Sequence, residues 1–349
     1  MLTPSSLNVP AEELFSLTQN IFEHSGLSPD HAYRQAEILI WANLRGIDSH
    51  GVLRIPRYLH FLREGQMNAK PNITVTTETS AAVMIDGDRA PGVISMRFAM
   101  NKAIDKARTA GVGWALVGKT THSGPLGYYT KIAVKADMVG IAIMTSRPNM
   151  AYFGSTAAGV ATSPISIAAP GGPEGCLILD MSSSALALGK IKHLLAQGID
   201  IPENSALTKD GKPTTDPAQA TIPLPLGGPK GSGLSLMFET ITSLLVGNPL
   251  LEPALAGREA THSQNGLAVA VNIETFTTTE NYKELVASLS KALKSLPTSE
   301  EKDEILLPGE PEQRRLKQRQ ETGIPLPKKT WQELSTIAKA LKIKMPSLS

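Results

Sequence analysis

The chain carries a single cysteine, Cys176, in 349 residues. One thiol excludes an intrachain disulfide and a zinc site built on several thiolates. Cys176 lies in the apolar run EGCLILD, which reads as a buried strand, where a free thiol packs as a small hydrophobe. Excess charge is lacking too: 34 Lys and Arg against 32 Asp and Glu leave a formal net charge of +2. With no global field and no basic tract interleaved with aromatics, nucleic acid is not an expected partner. No uncharged apolar run approaches the roughly 20 residues needed to span a bilayer. The opening MLTPSSLNVPAEELF has neither the basic nor the apolar region of a signal peptide, so the expectation is a soluble, cytosolic chain with no membrane partner. On that expectation the N-I-T pattern at Asn72 carries no glycan. Internal repeats and low-complexity segments are absent as well.

What is there suits a folded chain of about two domains, with 41% hydrophobic and 19% charged residues. Pro10 followed by AEELFSLTQNIFEHSG predicts a helix closed by Gly26. Ser28 as cap and Pro29 at the first position open a second helix, whose apolar face runs through Ala32, Ala36, Leu39 and Ala42. After the polar REGQMNAKPN the pattern alternates: AAVMID, VGWALVG and MVGIAIMT as strands, GVISMRFAMNKAIDKARTAG and PLGYYTKIAVKAD as helices. Two short strands, PISIAAP and LILDMS, follow, then the turn-rich IPENSALTKDGKPTTDPAQA, a loop too long to be idle. A helix over KGSGLSLMFETITSLLVG, a strand GLAVAVNI and helices near 280–296 and 329–342 complete an α/β layer arrangement.

Residues 45–58, RGIDSHGVLRIPRY, crowd chemistry into one segment. A helix starting near Ser49, capped by Asp48 or Ser49, would put His50, Arg54 and Tyr58 on one face, with Pro56 kinking or delaying it. From spacing alone, the same pattern reads equally as a solvated cationic face. His122 sits in TTHSGPLGYY, in a turn between strand and helix where open α/β sheets hold ligands; the bland alternative is a solvated histidine. Neither histidine has metal-ligand spacing, so no metal is expected. Lys230 in GGPKGSG precedes a helix and suits an anion cradle or an ordinary helix entry. Gly113 to Thr120 matches the P-loop pattern letter for letter, yet Trp114 to Val117 is an apolar strand and no helix follows, so that reading is set aside. GVGWAL and GSGLSL both fail the dinucleotide fingerprint at its last glycine.

Taken together, RGIDSHGVLRIPRY, TTHSGPLGYY, ILDMSSS, IPENSALTKDGKPTTDP, GGPKGSGLSLMFE and LLPGE resemble the malate/L-lactate dehydrogenase-like family of NAD(P)-dependent oxidoreductases, in order from about Pro10 to about Leu326. That family includes ureidoglycolate, sulfolactate and malate dehydrogenases, diketogulonate reductase and piperideine-2-carboxylate reductase. The resemblance implies an α/β, non-Rossmann fold. Residues 1–75 would form a helical N-terminal region with the substrate segment, 76–300 a central mixed-sheet cofactor domain, and 301–349 a segment packing back on the N-terminal region. It further implies a homodimer, NAD or NADP as cofactor, and a small carboxylate as substrate.

By the same resemblance, His50 matches the proton donor, Arg54 the holder of the substrate carboxylate, Ser49 and Tyr58 substrate-lining positions, and His122 a second catalytic histidine. Ser146, Asp180, Met181, Ser182, Lys230, Gly231 and the Pro308, Gly309, Glu310 turn match cofactor-contacting positions. Two departures stand out: ATSP at Ala161 to Pro164 where the family commonly shows GTNP, and Arg147 in place of an acidic residue in the ureidoglycolate enzyme. Arg147 suits a second substrate anion, the 2′-phosphate of NADP, or solvent. The expected activity is interconversion of a small 2-hydroxy acid and its 2-oxo acid. The alternatives are reduction of a cyclic imino acid and, more remotely, a non-catalytic nucleotide-binding protein.

Overall fold

The computed structural model of the chain describes residues 6–258, 263–299 and 303–346. Strand β1 (Ser6–Val9) leads into α1 (Ala11–His24) and α2 (Pro29–Leu44). The Ser28 hydroxyl accepts from the His31 N–H at 3.3 Å, and Pro29 needs no partner at the first helical position, so α2 starts where local chemistry predicts.

The next segment departs from expectation. Asp48–His50 and Val52–Arg54 form two separate 3₁₀ turns, and α3 (Ile55–Arg63) begins only afterwards. Gly51 is extended between them (φ −89°, ψ −154°), and the Val52 N–H donates to Asn43 Oδ1 at 2.9 Å rather than to a preceding carbonyl. A continuous helix is thereby interrupted, and Pro56, lacking an N–H, fits the start of α3.

The central sheet is built from β2 (Thr74–Glu78), β3 (Ala82–Asp86), α4 (Gly92–Ala110), β4 (Val112–Thr120), α5 (Gly127–Lys135) and β5 (Met138–Thr145). Short β6 (Met150–Ala151) and β7 (Ala158–Val160) pair with each other before β8 (Ile165–Pro170) and β9 (Cys176–Met181). Helix α6 (Leu188–Gln197) follows, a helix the sequence reading missed. The turn-rich stretch after it folds as β10 (Ala206–Leu207) and β11 (Pro213–Thr214), with β12 (Ile222–Pro223) completing a three-stranded sheet. Then come α7 (Pro229–Glu239), which widens into a π turn over Thr240–Leu244, α8 (Leu251–Leu255), β13 (Gln264–Asn272), α9 (Thr279–Lys294), α10 (Glu310–Thr322), β14 (Ile324–Pro327) and α11 (Lys328–Ala340).

The seven-stranded sheet has the order β2-β3-β4-β13-β5-β8-β9, and only β3 and β4 are parallel. The late strand β13 is inserted between β4 and β5, which makes this a mixed sheet and not a Rossmann one. Helices α4 and α5 cover one face, with Met96, Met100, Tyr129 and Ala268 in the core between. Gly113 belongs to β4 and lies under α4, where a Cβ would stand 1.8 Å from Ala103 O; its glycine serves helix-on-strand packing, not phosphate binding. β1 pairs antiparallel with β14, joining the two ends of the chain.

Candidate active site

Four separate pieces of chain meet at one cleft. The 3₁₀ turns bring His50 and Arg54, the segment after β4 brings His122, and β9 with the turn before α10 forms a long wall. Gly92 at the start of α4 permits this approach, since a Cβ there would stand 2.5 Å from Thr121 O and 2.6 Å from the His122 carbonyl carbon.

The two imidazoles stack, with ring centres 5.4 Å apart and planes 17° from parallel. Tyr58 Oη lies 2.6 Å from His122 Nδ1, and the Gly124 N–H points to the same nitrogen at 3.3 Å. A backbone N–H can only donate, so Nδ1 is an acceptor and neutral His122 carries its proton on Nε2. His50 Nδ1 lies 3.0 Å from Ser49 Oγ. Desolvation in the cleft and then the Arg54 cation pull the His50 pKa down to about 3, so its ring is neutral in the free protein. Arg54 donates through Nε to Ser49 O at 2.6 Å, and among the described residues no carboxylate neutralises it. Desolvation lowers its pKa as well.

The cleft encloses about 1910 Å³. Pockets for one small ligand run to roughly 300–1,000 Å³, so there is room for a second, larger molecule. Ser49, Arg147, Ser146, Asp180, Met181 and Ser182 line it, as do Pro308 and Gly309. Asp180 faces the cleft while its Oδ2 accepts the Gly127 N–H at the start of α5 at 2.7 Å; desolvation pushes its carboxyl up to about 6 against that bond. Gly309 has φ +93°, and a Cβ there would meet Ile178 N at 3.3 Å, so the turn lies close along β9.

Four of the expected residues are placed otherwise. Tyr58 is 1% exposed and sits behind His122 instead of facing the cleft, because α3 does not extend the turns that carry His50. Lys230 is exposed at the start of α7 and is not part of the cleft wall. Gly231 is buried beneath it, where a Cβ would stand 2.3 Å from Ser183 O; it seats the strand end that carries Ser182. The Glu310 carboxylate turns inward to Lys294 and to the Leu307 N–H.

The sequence reading also missed residues the structure brings in. Arg319 of α10 holds Asp48 through two bonds of 2.7 and 3.0 Å, and Asn43 Nδ2 donates to Asp48 Oδ1 at 2.7 Å. Gly189 of α6 lies over Ser49, where a Cβ would come within 2.3 Å of the serine Cβ. Arg45 stacks over Trp41 at 4.2 Å in the same cleft, its pKa lowered to about 10 by burial. Asp48 lay inside the segment already singled out, and Gly198 after an apolar-spaced LGKIKHLLAQ could have signalled α6. Nothing local marks Arg319.

A stacked pair of imidazoles beside a guanidinium that meets no carboxylate among the described residues, opening into a groove large enough for a dinucleotide, suits an enzyme that handles a small anion together with a bulky second molecule. The chain belongs to the malate/L-lactate dehydrogenase family, whose profile matches residues 9–335. It is therefore an oxidoreductase. It is 37% identical over 327 residues to L-sulfolactate dehydrogenase of Methanocaldococcus jannaschii, covering 92% of this chain and 94% of that one. The solved structure of that sulfolactate dehydrogenase superposes with a TM-score of 0.87 over 97% of this chain and 98% of its own. The structure of malate dehydrogenase from Pyrococcus horikoshii OT3, 29% identical, superposes at 0.90 over 99% of each chain. Ureidoglycolate dehydrogenase (NAD(+)) of Escherichia coli O157:H7 is 29% identical over 90% of both chains.

Proposed function

We propose that this protein interconverts a small 2-hydroxy acid and its 2-oxo acid, with NAD or NADP as the redox partner. The observation that carries the reading is the stacked His50 and His122 pair beside Arg54, a cation with no protein counter-ion among the described residues. On this reading the Arg54 guanidinium binds the substrate carboxylate through two parallel hydrogen bonds and fixes which carbonyl face meets the cofactor.

The groove fits an extended dinucleotide: its wall offers the hydroxyls of Ser146 and Ser182, the Asp180 to Met181 strand end, and a backbone turn at Pro308 and Gly309 that a side chain would fill. Held by these residues, a reduced nicotinamide would supply the hydride for the carbonyl carbon. The protein's part is the proton. Neutral His50 can take it from the hydroxyl of a 2-hydroxy acid. In the reverse direction, desolvation still opposes the imidazolium, but a carboxylate on Arg54 would offset the second cause, the Arg54 charge, and so favour the proton that His50 must donate. His122, held through Nδ1, orients or shares that transfer.

Malate and sulfolactate, named in two of the relatives, each carry two anionic groups. We read Arg147, exposed at the cleft, as the partner of a second anion. We keep the division at 75/76 and 300/301, in which the first unit carries Ser49, His50 and Arg54, the second carries His122, Arg147 and most of the cofactor groove, and the third adds the Pro308 and Gly309 turn and packs back on the first through Arg319 and β14. We also read the chain as a cytosolic homodimer: Leu285, Leu289 and Leu293 on α9, with Leu244 and Leu245, leave apolar faces open that a second copy would cover. Light scattering on the eluting protein tests that mass.

The test of activity is loss of reduced-nicotinamide absorbance with NADH and NADPH in turn, against 2-oxo monocarboxylates, dicarboxylates, sulfonates and cyclic imines. Oxidation by 2-oxo acids supports the reading, and oxidation by cyclic imines alone would replace it with C=N reduction. No oxidation and no binding of either cofactor would overturn it. Arg147→Ala should cost a dicarboxylate more than a monocarboxylate; an equal loss for both, seen only with NADPH, would assign Arg147 to the 2′-phosphate.

A further inference from the structure

Helix α10 has the sequence EPEQRRLKQRQET, in which Leu316 is the only aliphatic residue apart from Pro311. It has no apolar stripe to bury, so its position rests on polar contacts. At its first residue the Glu310 side chain, 8% exposed, takes Lys294 Nζ on both oxygens, at 2.8 and 2.7 Å. Glu310 also accepts the Leu307 N–H at 3.0 Å, and the Ile178 N–H donates to Pro308 O at 3.1 Å. This end of α10 therefore pins the turn beside the nucleotide groove to β9.

Nine residues on, about 13 Å along the helix axis, Arg319 forks onto both oxygens of Asp48. Its side chain is 14% exposed, and Nη1 also donates to Asn43 O. Asn43 completes the clasp: Nδ2 donates to Asp48, Oδ1 accepts the Val52 N–H, and Gly51 lies so close that a Cβ would stand 2.2 Å from that oxygen. The backbone on both sides of His50 is thus gripped from one place.

We propose that Arg319 and Asp48 are positioning residues for His50 and Arg54, and that α10 acts as a rod registering the catalytic segment against the cofactor turn. A planar fork on a carboxylate sets an angle as well as a distance, which is what two short 3₁₀ turns without a helix of their own require. The proposal rests on the assignment of His50 and Arg54 made under Proposed function.

Arg319→Met and Asp48→Asn should lower kcat for the 2-oxo acid by about 100-fold, the scale of a catalytic group displaced by about an ångström. Binding of NADH, read by quenching of intrinsic fluorescence, should be unchanged. Arg319→Lys, which keeps the charge without the fork, should fall between the two. The control is Lys317→Met on the same helix, whose pair with Glu174 is exposed and should not matter. An independent readout is the nuclear magnetic resonance titration of the His50 ring, assigned by loss of its signal in His50→Gln. Its midpoint should rise in Arg319→Met as the segment loosens and water enters. Unchanged kcat and midpoint in Arg319→Met would overturn the proposal, as would equal losses in Arg319→Met and Lys317→Met, which would mean that α10 matters only for stability. Should the wild type turn over no 2-oxo acid, the assigned activity fails, while the His50 midpoint still decides whether Arg319 positions that ring.

Discussion

Tyr58 Oη and His122 Nδ1 are 2.6 Å apart, and the tyrosine is almost wholly buried behind the histidine. The phenol therefore acts on the ring, not on the substrate. Burial pushes the Tyr58 pKa up to about 12, so its hydroxyl keeps its proton at working pH. Tyr58→Phe should lower kcat by about fivefold, the equivalent of one net hydrogen bond of roughly 1 kcal/mol, without adding or removing a limb in the pH profile. A large rise in the substrate KM with kcat intact would return Tyr58 to the substrate-lining role that the sequence suggested.

Replacing either stacked histidine by glutamine should reduce kcat by about 10²–10⁴-fold, the range for a positioned acid or base. If the two act as one unit, His50→Gln with His122→Gln should cost no more than the worse single change. Steady-state rates in both directions decide this. A near-normal His50→Gln enzyme beside a dead His122→Gln one would transfer the proton role to His122.

Arg54→Lys keeps the charge and loses the fork. Since a hydrogen bond to a charged group is worth about 1.5–3 kcal/mol, KM for the 2-oxo acid should rise by about 10- to 100-fold, with cofactor binding unaffected. In Arg54→Met the cation that disfavours imidazolium is gone, so the titration midpoint of His50 should move upward from about 3. No movement would place the cause in desolvation alone.

The depressed His50 pKa has a stability consequence with a definite sign. Below the usual histidine value of 6.5 the unfolded chain takes a proton at this position that the folded chain refuses until about pH 3. Stability from this position is thus fully present above pH 6.5 and is lost as pH falls toward 3. The wild-type Tm should consequently drop more steeply than that of His50→Gln on acidification from pH 7 to pH 4. Parallel curves would show that the ring is solvated in the folded state.

Gly189→Ala puts a methyl group where only 2.3 Å separates a Cβ from Ser49. The start of α6 or the 48–50 turn must shift, at a cost of about 1–3 kcal/mol for an overpacked contact. Raised KM with a fall in Tm of only a few degrees is the expected result. A matching fall in Tm with wild-type kinetics would mean that α6 is merely packed there.

Local chemistry made much of this protein readable without coordinates. Ser28 and Pro29 start α2 because a hydroxyl acceptor and a missing N–H act within one turn of chain. The apolar runs at 112–120, 138–145 and 264–272 are strands, and RGIDSHGVLRIPRY stood out by its residue types, although spacing alone left a solvated cationic face equally open and the family resemblance broke the tie. What failed was also local in origin: the helical spacing of His50, Arg54 and Tyr58 was real, but Asn43, reached across the turn from α2, withdraws the Val52 donor and breaks the helix.

By itself, then, the sequence determined the first two helices and the main strands of the central sheet, the absence of a Rossmann fingerprint, and the kinds of side chain available for proton transfer and carboxylate binding. Only the tertiary structure decided that β13 enters between β4 and β5, that Tyr58 backs His122, and that Arg319 clasps Asp48 across 271 residues of chain. Those decisions are long-range pairings, set by which buried surfaces and charges find each other once the sheet closes. No window of neighbouring residues contains them.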